Sequence, residues 1–124
     1  MKEVIAIVRM NMMNQTKQAL TKAGVDAFFA HEALGRGKGL VNSHVLKGAE
    51  SGVEEAVEVL GGKDKLYPKR VVTVVVPDRE VKKVVQTIIA TNQTGKPGDG
   101  KIFVLPVSDA IRVRTAEVGE KSIV

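Results

Sequence analysis

The chain opens on an alternating pattern. In residues 2–9 (KEVIAIVR), Val4, Ala6 and Val8 fall on one face of an extended strand and Ile5 and Ile7 on the other, so both faces are apolar. Asn14 can cap a helix running to about Ala23, with Ala19, Leu20 and Ala23 on its inner side and Gly24 placed to end it. Residues 26–34 predict a second strand. An irregular stretch, residues 35–68, follows; within it Val53, Ala56, Val57 and Leu60 stand at i, i+3, i+4 and i+7 and predict a short amphipathic helix ended by Gly61-Gly62. The next strand is the clearest, because five of the seven residues 70–76 (RVVTVVV) are Val. Pro77-Asp78 breaks it and caps a helix with a stripe of Val81, Val84, Val85, Ile88 and Ile89. A glycine-rich loop at 93–100, a strand at 101–107 (KIFVLPV) and a short final strand at 111–114 (IRVR) complete the pattern.

The order β-α-β-β-α-β is that of a ferredoxin-like α+β sandwich: an antiparallel sheet, two helices on one face, and here a long loop after the second strand. A chain of 124 residues holds one domain, 1–124. Its strands lack the polar alternation of a sheet with one face in water. The second face is therefore expected to pack on other copies, in an oligomer. Hydrophobic residues at 44% and charged residues at 27% are globular values and exclude a disordered chain. The absence of cysteine excludes disulfides and thiolate metal sites, and His31 and His44 lack a zinc-site spacing. With no apolar run long enough for a bilayer and no signal peptide, a cytoplasmic protein without membrane insertion is expected. The net charge of +5 favours an anionic ligand or partner without choosing between nucleic acid, nucleotide and acidic protein.

Ten of the twelve glycines fall in residues 35–62 and 95–100, and the candidate chemistry concentrates there. Thr94-Gly95-Lys96-Pro97-Gly98-Asp99-Gly100-Lys101 can present successive N–H groups to an anion, with Lys96 and Lys101 adding charge. It is not a Walker A motif, since the G-x-x-x-x-G-K-[ST] order is absent, and it reads equally as a hairpin turn. Gly35-Arg36-Gly37-Lys38-Gly39 is a second candidate, or a flexible loop with solvated charges. Arg112 and Arg114, two apart on the expected final strand, would share a face and suit phosphate oxygens, or be two surface arginines. Lys69, at the mouth of the Val-rich strand, is unremarkable alone. No catalytic set emerges, so the chain is not read as an enzyme. A small nucleotide hydrolase would have only Asp99 as an acid inside a glycine loop. An RNA-binding module would need an aromatic strand motif, and three Phe, one Tyr and no Trp do not supply it. No nucleic-acid partner is expected.

The string Thr94-x-x-x-Gly98-Asp99-Gly100-Lys101-Ile102-Phe103-Val104 resembles the C-terminal signature of the PII signal-transduction proteins. KEVIAIVR, Ala19-Leu20, Gly24, Lys47-Gly48-Ala49-Glu50, Pro68-Lys69, Val76-Pro77-Asp78 and Ile111-Arg112-Val113-Arg114-Thr115 extend the resemblance over nearly the whole chain. It implies a trimer of ferredoxin-like subunits that binds ATP or ADP in clefts between subunits and senses 2-oxoglutarate alongside Mg-ATP. The long loop, about residues 35–68, then docks on or leaves a target. By the same resemblance, Thr94, Gly95, Gly98, Asp99, Gly100 and Lys101 form the phosphate loop, Gly35, Arg36, Gly37 and Lys38 join the ATP site, and Arg112 and Arg114 contact phosphate. Lys69 pairs with the 2-oxoglutarate carboxylate, beside Gly37, Lys38 and Gly39. Val53, Ala56, Val57 and Leu60 are the expected target-binding face of the loop.

Departures from the family pattern narrow the resemblance. Where the family carries Gly-Arg-Gln-Lys-Gly, this chain has Gly35-Arg36-Gly37-Lys38-Gly39 across a two-residue gap, or Gly39 against the glutamine without one. Either register replaces by glycine the side chain that helps ligate Mg²⁺, so no side-chain metal ligand is assigned. Ser51 stands at the uridylylated tyrosine position and Phe29 at a nucleotide-contacting threonine. The lengthened loop and Gly-Arg-Gly-Lys-Gly are similar to the nitrogenase-regulating branch, in particular the second of its two paired paralogues. That branch forms a hetero-oligomer with a sister PII paralogue and binds the dinitrogenase component when fixed nitrogen is plentiful; ATP and 2-oxoglutarate release it. The alternative within the family is a regulator of an ammonium transporter or of a nitrogen-assimilation enzyme.

Overall fold

The computed structural model describes residues 1–37 and 66–124. Strand β1 (Lys2–Arg9) leads through a 3-10 turn at Met10–Met12 into helix α1 (Met13–Lys22). Strands β2 (Phe29–Gly35) and β3 (Tyr67–Val76) follow, then helix α2 (Val81–Asn92) and strand β4 (Lys101–Pro106). The four strands form one sheet in the order β2-β3-β1-β4, and every neighbouring pair is antiparallel. This is the α+β ferredoxin-like arrangement expected from the element order.

The register turns the alternation of β1 into a core. Val4, Ala6 and Val8 are buried with Val72, Val74 and Val76 of β3 against Leu20 of α1 and Val84 and Ile88 of α2. Thr16 is wholly buried among them; its hydroxyl donates to the Met12 carbonyl at 2.7 Å and accepts from the Asn92 amide at 3.1 Å, joining the helices. Gly24 ends α1 as expected. It lies at φ +88°, with its N–H on Thr21 O at 3.0 Å and Val25 N–H on Leu20 O at 2.9 Å. On the opposite face Phe29, Thr73, Ile5 and Phe103 stand in one row across all four strands, and Phe29, Phe103 and Leu105 remain exposed.

Four sequence expectations need correction. Asn14 caps nothing: the 3-10 turn carries the chain into α1, which starts at Met13 without a side-chain cap. Strand β2 begins at Phe29, opposite Thr73, not at residue 26, because the bond from Val25 back to Leu20 keeps the chain turning beyond the helix. Asp78 does not cap α2; it lies in the 3-10 turn Asp78–Glu80, and its carboxylate meets the Met1 ammonium at 3.0 Å. Residues 111–114 form no strand. Ile111 makes a single bridge to Val118, and the chain reverses over 113–115 with Ala116 N–H on Arg112 O at 2.7 Å. The amphipathic stretch Val53, Ala56, Val57 and Leu60 lies outside the described residues.

Candidate functional site

In this sheet order the end of β1, the end of β2, the start of β3 and the start of β4 all lie at one edge. Arg9 is opposite Lys69, Gly35 opposite Tyr67, and Lys101 opposite Ile7. The glycine-rich loop between α2 and β4 lies over that edge. Its glycines take conformations that side chains rarely adopt: φ is +84° at Gly95, +101° at Gly98 and +112° at Gly100. At Gly100 the backbone passes so close to β1 that a Cβ would sit 1.8 Å from the Ile7 carbonyl oxygen.

Asp99 organises the loop. Its carboxylate accepts from Arg9 Nη1 at 2.7 Å, from Thr94 N–H at 2.7 Å, from Gly95 N–H at 2.9 Å and from the Thr94 hydroxyl. Partial burial by itself would raise its pKa; the bonds from Thr94, Arg9 and Gly95 outweigh burial and hold it well below the usual carboxylate range. Thr94 and Asp99 thus serve the loop's own shape. Arg9 also donates to the Pro97 carbonyl at 3.1 Å, and Lys69 Nζ lies 3.5 Å from the Gly98 carbonyl.

Beside the loop is a cleft of about 230 Å³ lined by Ile7, Arg36, Gly37, Lys69, Gly98, Gly100, Lys101 and Phe103. Six of these residues are predicted site residues, drawn from three separate stretches of sequence. Three are cations from β3, from β4 and from just beyond β2, around three glycines and an apolar floor. Such a site suits a polyanion carrying an apolar group. Gly35 ends β2, one residue before Arg36, and does not itself line the cleft. Lys38, Gly39 and the loop face Val53, Ala56, Val57 and Leu60 lie outside the described residues.

Arg112 and Arg114 do not converge as the expected strand required. The turn at 113–115 abolishes the two-residue periodicity, and Arg112 is engaged by Glu117 within its own segment. Among the described residues no cluster of three or more His, Cys, Asp or Glu side chains could hold a metal ion, and the charged residues of the cleft are cations. These side chains do not fit a Mg²⁺ site. Arg9 escaped the sequence reading; the available signal was a cation at the end of β1, which the ferredoxin-like order sets beside the loop entering β4.

Asp99→Asn is expected to destabilise the protein by about 1–3 kcal/mol at neutral pH, the range for disrupting a bonded charged group. Because the folded pKa is depressed, the contribution is present above the unfolded value of about 4 and is lost as pH falls through and below it. Denaturation at pH 7 and pH 3 should therefore show parent and variant converging on acidification. A gap that stays constant would contradict the assigned role.

The similarities to known proteins span the full chain. Residues 1–117 match the family model described as nitrogen regulatory protein P-II. The chain is 42% identical over 125 residues to the nitrogen fixation nifHD region GlnB-like protein 2 of Methanobacterium ivanovii, covering 99% of each chain. It is 45% identical over 127 residues to the protein of the same description from Methanothermococcus thermolithotrophicus, covering 99% of this chain and 98% of that one. The crystal structure of Arabidopsis thaliana PII bound to citrate matches with a TM-score of 0.73 and 36% identity, over 98% of this chain and 88% of that one. The chain belongs to the PII family of non-catalytic nitrogen-signalling regulators, and within it matches the second nifHD-region GlnB-like paralogue of methanogens.

Proposed function

We propose that this protein reports nitrogen status by binding ATP or ADP, with 2-oxoglutarate as effector, and controls nitrogenase by direct contact with the dinitrogenase component. The observation that carries this reading is the convergence of Arg36, Lys69 and Lys101 with Gly98 and Gly100 in one cleft. Cations and open backbone suit the phosphates, and Ile7 and Phe103 give an apolar surface for a base. Lys69 is the candidate partner for the 2-oxoglutarate carboxylate. The Arabidopsis PII described as bound to citrate supports a carboxylate effector for this fold. The nifHD-region relatives support nitrogenase as the target.

The apolar row through Phe29, Ile5 and Phe103 supports a trimer-based oligomer, alone or with a sister PII paralogue, because water is a poor neighbour for that face. The stretch 35–68 is the proposed target-binding element, with Val53, Ala56, Val57 and Leu60 as its contact face. The test is a pull-down of dinitrogenase from nitrogen-replete extract. Capture is expected to be lost on adding ATP with 2-oxoglutarate, and lost also on deleting residues 53–60, while ATP binding is unchanged by the deletion. Capture by the deletion variant at parental levels would place recognition elsewhere.

A further inference from the structure

A second cavity, of about 270 Å³, lies behind the glycine loop, between the end of α2, β1 and the start of β4. Its walls are aliphatic: Ile7 and Val8 of β1, Ile88 and Ile89 of α2, and Ile102 of β4. Asn92, the last residue of α2, also lines it and is only 5% exposed. The Thr16 hydroxyl gives its hydrogen to the Met12 carbonyl, so toward Asn92 it can only accept. Asn92 Nδ2 therefore donates to Thr16 Oγ1 at 3.1 Å, and it donates to the Ile88 carbonyl at 3.0 Å. These two bonds fix which way round the amide sits. Asn92 Oδ1 is left buried, with no hydrogen-bond partner among the described residues. Thr16 belongs to α1, and no residue of α1 lines the cavity. The Nδ2 end of the amide thus turns away from the cavity, and Oδ1 remains on its side.

We propose that this cavity binds a small neutral molecule with an apolar body and one N–H or O–H donor, which Asn92 Oδ1 accepts. A buried acceptor without a donor is costly, and native proteins leave few of them. Asp99, the other acceptor in the wall, has nothing left to offer. Each of its oxygens already accepts two hydrogen bonds, which fills its lone pairs, and Arg9 balances its charge. No cation lines the cavity, so an anion has no partner there. The volume is ample for a bicyclic aromatic, since a cavity of about 150 Å³ holds benzene. Ile7 and Gly100 line both this cavity and the anion cleft. The two therefore lie on either side of the close approach between the loop and β1, one toward α2 and the other toward Phe103. The inference stands apart from the nucleotide reading, and its test involves no nucleotide.

The probes are indole and benzofuran, which share a shape but differ in that only indole carries an N–H. Each is titrated into the full chain labelled at its isoleucine methyl groups and followed by NMR. Indole is expected to give saturable shifts at Ile88, Ile89 and Ile102 and to bind about tenfold more tightly than benzofuran, the scale of one hydrogen bond to a buried acceptor. Asn92→Leu removes the acceptor and should bring the two probes to equal affinity. That variant also loses the bonds to Thr16 and Ile88, so a second one guards against its failing to fold. Ile89→Trp, at the exposed rim, fills the cavity while leaving Asn92 in place, and should abolish binding of both probes. Equal affinity of the parent for the two probes would overturn the site. Shifts centred on Ile5, on the opposite face of the sheet, would do the same, as would indole binding that survives Ile89→Trp or a preference for indole that survives Asn92→Leu. No saturable binding up to the solubility of indole would assign Asn92 Oδ1 to a bound water alone, and the proposal would fall.

Discussion

Replacing Gly100 with alanine is expected to destabilise the fold by about 3 kcal/mol or more, combining overpacking with a backbone conformation closed to side chains. The added Cβ would lie 1.8 Å from the Ile7 carbonyl oxygen, far inside any contact distance. That oxygen cannot retreat, because Ile7 is held in the middle of the sheet, paired to Val71 on one side and Lys101 on the other. The loop must then lift from the sheet, and with it the bonds from Arg9 and Lys69 to residues 97–99. Gly95→Ala is the internal control. Gly95 also has a positive φ, of +84°, but its Cβ would meet nothing within 4 Å. Its cost should be that of backbone strain alone, about 1–2 kcal/mol. Denaturant midpoints of the two variants should differ clearly; equal losses would mean that the close approach to β1 is not what fixes the loop.

The second large effect is on ligand affinity. Arg36→Gln combined with Lys101→Gln leaves the cleft with Lys69 as its remaining cation among the described lining residues. If each lost group makes one charge-assisted bond to a phosphate, affinity for ATP should fall about 10²-fold or more. Lys82→Gln, on the exposed side of α2, should leave it unchanged. A double variant that binds ATP like the parent would show that the cleft is not the phosphate site.

The elements with strong local periodicity were legible in the sequence. The alternation of β1, the valines of β3 and most of the stripe of α2 buried the face they predicted, since burial follows period directly; Ile89, the last member of that stripe, is exposed. The three glycines of the 93–100 loop were legible for a related reason: positive φ at Gly95, Gly98 and Gly100 is what glycine permits. What failed was non-local or unsignalled. The role of Arg9 requires knowing that β1 lies between β3 and β4. The reversal at 113–115 hinges on Ala116 at positive φ, a residue type that gives no warning of it, so Arg112 and Arg114 read as a strand pair. Asn14 is a good capping residue in the wrong place, because the 3-10 turn before it had no separate pattern.

The central claim is that the edge where β1, β2, β3 and β4 meet the glycine loop is an effector-linked ATP site. The most direct test is calorimetric titration of ATP, with Mg²⁺ in the buffer, into the full chain, with and without 2-oxoglutarate. The account predicts saturable ATP binding, and a change in ATP affinity on adding 2-oxoglutarate that is matched by the same factor when the order of ligands is reversed, as linkage demands. No ATP binding, or ATP affinity indifferent to 2-oxoglutarate, would contradict it.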